Sequence, residues 1–158
     1  MDKEMIHGLY KTNHWVLTRQ ADGLTHEDSL LQLPFRGNCF NWVLGHILES
    51  RQHVLRLLGI EGTWTDEEGA RYKYDSEPIT SADDPHALPF DRLLADLEQT
   101  QTQIADGFDE VSLAQLAEKN ERGRTVAEQL LFMAWHEGYH AGQTEYLRQL
   151  AGKDDKVI

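Results

Sequence analysis

Apolar residues recur along this chain at helical spacing, and no stretch of useful length alternates like a half-buried strand. A first helix is predicted over roughly Asp2–Ala21, with Ile6, Leu9, Tyr10, Val16 and Leu17 on one stripe and Asp22-Gly23 as a stop. Thr25-His26-Glu27-Asp28 reads as a short capped turn. A second helix spans roughly Cys39–Leu58, with Asn38 as N-cap, Gly59 as stop, and Phe40, Val43, Leu44, Ile47, Val54, Leu57 and Leu58 as its apolar positions. A third covers roughly Pro89–Ala105 through Phe90, Leu93, Leu94, Leu97 and Ile104. A fourth opens with Thr125-x-x-Glu128, a capping box, and runs to about Leu150 before Gly152.

The segment from Ile60 to Ala87, with Gly62, Gly69, Pro78 and Pro85, reads as loop. A structureless loop that long is uncommon in a compact domain, and is often functional or a crossover between distant helix ends. Ser112–Leu116 reads as a short helical turn. The fold class predicted is all-α: a four-helix bundle with a long crossover connection, residues 1–158 forming a single domain.

Composition narrows the partners. With 27 Asp and Glu against 15 Lys and Arg, the net charge is −12, and no basic cluster offers a footprint for nucleic acid or anionic lipid. No apolar run approaches the ~20 residues of a membrane span. The start "MDKEMIHGLYKTNHW" lacks the apolar region of a signal peptide, and the single cysteine, Cys39, forms no disulfide framework, so a cytoplasmic location is expected.

The candidate chemistry lies in the eight histidines, above all His136 and His140 in "WHEGYHAGQ". Residues four apart on a helix share a face, about 6 Å apart along the axis, so two imidazoles can meet one metal ion. The His-Glu-x-x-His pattern is that of zinc proteases, where the glutamate is the general base and a third ligand lies downstream. Only 18 residues follow His140, Glu145 lies on the same helix, and Gln143 and Tyr146 stand where the longer signature needs glycine and histidine. A protease is therefore rejected, and Glu137 reads as a chance occupant. A third ligand can come from upstream: His46, in "NWVLGHI" on the second helix, beside Gly45, which permits close approach of backbone or ligand. Three nitrogens from facing helices would leave a fourth position open, as in catalytic metal sites, where water or a thiol ionises near neutral pH.

"NWVLGHI" and "HEGYHAGQ", with "TNHWVLTRQADGL" near the start and "GRTVAEQLLFMAW" leading into the last helix, resemble the DinB-like (YfiT-like) superfamily of four-helix metalloproteins. The similarity covers nearly the whole chain. The resemblance implies a bundle with an unusual crossover, often dimeric, and a divalent metal (Zn, Ni, Mn or Fe(II)) held by His46, His136 and His140. It implies a small-molecule substrate and thiol-dependent S-transfer, isomerase or hydrolase chemistry, with a low-molecular-weight thiol as possible partner and a homodimer as the assembly. Two alternatives stay open: a non-catalytic metal-binding or stress-response module, and a bundle whose histidines are merely buried or exposed.

The remaining residues carry milder expectations. His53 is a hydrogen-bonded or exposed residue, or an outer partner of the metal site. His7 and His14 share a face; His26 and His86 are solvated. Glu49 and Ser50 are placed to bond a ligand imidazole but suit packing or surface roles better; Asn13 and Asn41 are candidates to line the site. Trp15, Trp42 and Trp135 are expected in the core. Trp64, in the long connection, is expected to cover a pocket or partner surface, and Cys39 to be a buried or idle thiol.

Overall fold

The computed structural model describes residues 2–81 and 84–157 and is built from helices: α1 (Lys3–Ala21), α2 (His26–Ser29), α3 (Phe40–Leu57), α4 (Asp66–Tyr72), α5 (Phe90–Glu110), α6 (Leu113–Ala117) and α7 (Val126–Leu150). Among the described residues the only strand-like feature is an isolated bridge between Lys119 and Thr125. The four long helices follow the four predicted stripes. The predicted box at Thr125 forms, with the Glu128 amide donating to Thr125 Oγ1 and the Thr125 amide donating to the Glu128 carboxylate. Past the end of α3, Gly59 takes a φ of 80°, a left-handed conformation that ends the helix at little cost for glycine alone.

Three details differ from the sequence reading. The N-cap of α3 is Cys39 rather than Asn38, and it makes no side-chain cap bond. Helix α5 continues past Ala105 to Glu110, because Gly107 and Phe108 are buried. A Cβ on Gly107 would lie 2.9 Å from the Leu58 side chain, so glycine there permits α3 and α5 to close up. The connection after α3 is also not structureless: α4 forms in it, opened by a capping box between Thr65 and Glu68. Residues 82 and 83 of that connection lie outside the described residues.

Helices α1 and α3 each pack against both α5 and α7, so α1 and α3 occupy one diagonal of the bundle. Cross-helix bonds give the directions. Tyr10 and Asn13 of α1 donate to the carbonyls of Leu130 and Ala134, and Arg148 donates to those of Gln20 and Asp22, so α1 and α7 are parallel. Phe40 meets Phe90 edge-on, and Arg51 reaches Leu97 and Thr100, so α3 and α5 are parallel. Arg51 pairs with Glu137 while His46 meets His140, so α3 runs against α7. Parallel α3 and α5 require their connection to return along the bundle, roughly 27 Å for a helix of 18 residues. That is the crossover, and α4 lies on it.

The apolar interior forms two clusters, one around Leu44, Ile47, Leu93 and Ala141, the other around Tyr10, Leu55, Ile104 and Leu130. Of the tryptophans expected in the core, Trp42 is buried, but Trp15 is 44% and Trp135 61% exposed. Trp15 instead lies under the Arg19 guanidinium, which is 5.5 Å from the centre of the indole ring, and Trp135 stacks on Tyr139, its neighbour one turn along α7, so each keeps an aromatic face covered without entering the core. No helix among the described residues is long and apolar enough to cross a membrane.

Candidate metal centre

Because α3 and α7 are neighbours, His46 of α3 faces His136 and His140, one turn apart on α7. The Nε2 atom of His136 lies 3.3 Å from Nε2 of His46 and 3.2 Å from Nε2 of His140. One ligand atom from each of the three histidines falls within 4.8 Å of the other two. Tetrahedral coordination with metal–nitrogen bonds of about 2.0–2.1 Å puts neighbouring nitrogens about 3.3 Å apart.

Hydrogen bonding fixes which nitrogens are free. His46 Nδ1 lies 2.7 Å from the Tyr72 carbonyl, which can only accept, so His46 carries its proton on Nδ1. His140 Nδ1 likewise donates to Gln143 Oε1 at 2.8 Å. Both Nε2 atoms therefore present lone pairs to His136 Nε2. A proton on that nitrogen can satisfy one of them and leaves the other facing a donor already used, whereas a cation accepts all three lone pairs. The donor set and its tautomers thus fit a divalent ion, and two of the histidines carry the outer hydrogen bond typical of metal-bound histidine. His46 is buried and stacked on the Trp42 indole, ring centroids 4.8 Å apart. Burial lowers the pKa of His136, with the neighbouring His46 adding to it, and brings His140 down to about 4, chiefly through desolvation. Free imidazoles at neutral pH are the form that binds metal.

The crossover positions His46. The Tyr72 hydroxyl donates to Asn41 Oδ1 at 3.0 Å and accepts from the Leu88 amide at 2.7 Å, while Asn41 Nδ2 donates to the Leu88 carbonyl at 2.9 Å. This network seats the Tyr72 ring directly over Gly45, where a Cβ would lie 2.1 Å from a ring carbon. The close approach anticipated at Gly45 is thus made by an aromatic ring, and it delivers the carbonyl that orients the adjacent histidine. Glu49 and Ser50, placed to bond a ligand imidazole, make no such bond.

Glu137, read as a chance occupant, has a defined place. It points away from the three histidines and accepts two bonds of 2.9 Å from Arg51 Nε and Nη2, with the two side chains 3% and 0% exposed. Arg51 also donates to the Leu97 carbonyl, Thr100 Oγ1 and Gln101 Oε1. The glutamate of the His-Glu-x-x-His pattern is therefore committed to a buried ion pair. Nothing near Glu137 in the sequence marks Arg51, which is 86 residues away.

The other candidates stand apart from the centre. His7 stacks on Phe108. His14 meets Glu98 at 3.3 Å. His26, expected to be solvated, is partly buried and accepts from the Phe90 amide, capping α5, because α2 packs against the start of that helix. His86 is exposed, and His53 is half-buried and outside the cluster. Asn13 reaches the Ala134 carbonyl, and neither Asn13 nor Asn41 lines the cavity at the histidines. Trp64 packs on the first core cluster and donates to Asp96 at 2.8 Å, tying the crossover to α5. Burial raises the Cys39 thiol's pKa, the behaviour of an idle thiol.

The histidines open into a cavity of about 790 Å³, within the usual range for small-molecule sites. Trp42, Val43, Tyr74, Trp135, Tyr139 and Tyr146 supply much of its wall, with Arg36 and Asn38 from the segment before α3.

No curated protein matches the chain at a significant level. The model of the DinB superfamily matches residues 12–144, a span that begins within α1, takes in the crossover and includes His46, His136 and His140. The helical fold, the crossover and the histidine cluster agree with that match, and the chain belongs to the DinB superfamily.

Proposed function

We propose that His46, His136 and His140 hold one divalent metal ion (Zn, Ni, Mn or Fe) and that the protein is a metal-dependent enzyme acting on a small molecule, by thiol-dependent S-transfer or hydrolysis. The observation that supports this most is the convergence of three Nε2 atoms, two of them in fixed tautomers, at the wall of a substrate-sized cavity. A cation held there supplies Lewis acidity to an oxygen or sulfur that reaches its open side, lowering that group's pKa. The Tyr72 carbonyl and Gln143 hold protons on the far nitrogens of His46 and His140 and so aim their lone pairs inward. Trp42 shields His46 from water, and the cavity's aromatic wall favours apolar reactants. Glu137 takes no part as a base, since both its oxygens are engaged by Arg51.

A second reading is a non-catalytic metal-binding module of the stress-response kind. It draws on the absence, among the described lining residues, of any carboxylate to serve as general acid or base. The two readings part on turnover. Metal-loaded protein is assayed for loss of free thiol with small electrophiles and for ester and amide hydrolysis. The enzyme reading expects metal-dependent turnover that vanishes in His46→Ala; no turnover with any metal and thiol favours the module.

We also propose a cytoplasmic homodimer, on the family resemblance. The exposed stripe Leu131, Phe132, Trp135 and Tyr139 of α7 is the apolar face that pairing would cover. Light scattering at micromolar concentration should then give twice the 18.1 kDa of one chain; a monomer contradicts it.

A further inference from the structure

The cavity has a charge pattern opposite to that of the whole molecule. The chain carries 27 acidic against 15 basic side chains, yet among the described residues no carboxylate lines the cavity, and Arg36 is its one side chain with a permanent charge. Four arginines are paired with carboxylates away from the cavity: Arg51 with Glu137, Arg71 with Asp84, Arg92 with Asp96 and Arg148 with Asp155. Arg36 makes no ion pair among the described residues, and it is exposed at the cavity beside Phe35. A guanidinium is a forked donor suited to carboxylate, and a pairing partly shielded by apolar walls is stronger than one in open water. The remaining wall is largely aromatic, with Trp42, Tyr74, Trp135, Tyr139 and Tyr146 among its residues, which suits a flat apolar body. Three neutral imidazoles leave a bound ion's full positive charge in the same cavity, and no acidic wall offsets it.

We infer that the cavity selects organic anions with a flat apolar body, aryl carboxylates in the first instance, and that Arg36 is the residue that recognises the carboxylate. This rests on the cavity being the working site proposed above, and it gives that site a substrate class. A cationic ligand of the same shape is excluded by the same charge pattern, although the molecule as a whole is strongly acidic.

The test is calorimetric titration of metal-stripped protein with three probes of one shape: 2-naphthoate, 2-naphthamide and 2-naphthylmethylammonium. Naphthoate is expected to bind roughly tenfold tighter than the amide, and the ammonium weakest. Arg36→Gln should abolish the preference by weakening naphthoate alone, and Arg36→Lys should restore part of it. Arg36 is exposed, so neither change threatens the fold. The preference should persist in a His136→Ala, His140→Ala double variant, which separates this inference from the metal reading: that reading fails on ion content, whatever naphthoate does. Equal affinities for naphthoate and naphthamide, tightest binding of the ammonium, a preference that survives Arg36→Gln, or no binding of any probe at millimolar concentration would each overturn the inference.

Discussion

Helices α3 and α7 meet through polar side chains at two places. At one, Arg51 and Glu137 lie between the apolar clusters, and Arg51 Nε, Nη1 and Nη2 all have acceptors. At the other, His46, His136 and His140 turn three nitrogens toward one point, where they can satisfy only one another. The two lie close on each helix, with Glu137 next to His136. The difference separates a clamp from a binding site. A closed polar cluster needs nothing further and holds the helices in register, whereas an open one has lone pairs to offer. The protease-like glutamate is adjacent in sequence to a histidine of the open cluster and belongs to the clamp.

The largest effect expected is at the clamp. Glu137→Ala leaves a buried guanidinium unpaired and should cost about 3–5 kcal/mol, lowering the melting temperature by roughly 10 °C. Replacing both partners by apolar residues, Arg51→Met with Glu137→Leu, should cost far less, since no orphan charge remains. A melting temperature unchanged in Glu137→Ala would show that the pair is not closed as described. Next comes the joint between crossover and centre. Gly45→Ala drives a methyl group into the Tyr72 ring and should cost about 1–3 kcal/mol in thermal or urea unfolding. It should also weaken metal binding in chelator competition, because the carbonyl that orients His46 moves with Tyr72. Unaltered metal affinity would separate the crossover from the site.

The smallest effect belongs to the open cluster without metal. His140→Ala removes a half-buried imidazole whose Nε2 has only histidine partners, so the metal-free variant should unfold within about 1 kcal/mol of the parent. The pH dependence runs in a stated direction. Burial depresses His140 to about 4 in the folded chain from 6.5 unfolded, so below pH 6.5 the unfolded chain takes up the proton first. The contribution is whole above pH 6.5 and is lost as pH falls toward 4. Partial exposure screens it, and His140→Ala should flatten that part of the profile measured on metal-free protein.

The histidine pair is legible because a spacing of four has one geometric meaning on a helix, and the four stripes are legible because each long helix sends apolar side chains at helical spacing into the two core clusters. Other features depended on partners distant in sequence. Glu137 has no readable role without Arg51, and the helical signal of α5 fades after Ala105, since Asp106, Gly107, Asp109 and Glu110 look like a linker until Leu58 and Ile60 are seen against Gly107. Helix α4 is different, since its signal was present. Thr65-x-x-Glu68 is the same capping box as Thr125-x-x-Glu128, but the apolar run that made the second legible does not follow the first, and Gly69 interrupts it. The Tyr72 carbonyl left no trace in the side-chain pattern, since any residue supplies one.

The central claim is that the open cluster is a metal site, and ion content per chain tests it most directly. Untagged protein is stripped with chelator, dialysed against Zn, Ni or Mn, freed of excess, and measured by mass spectrometry beside the His136→Ala, His140→Ala variant. The account predicts about one ion per chain in the parent and none in the variant. No retained ion with any of the metals, or equal retention by both proteins, would contradict it.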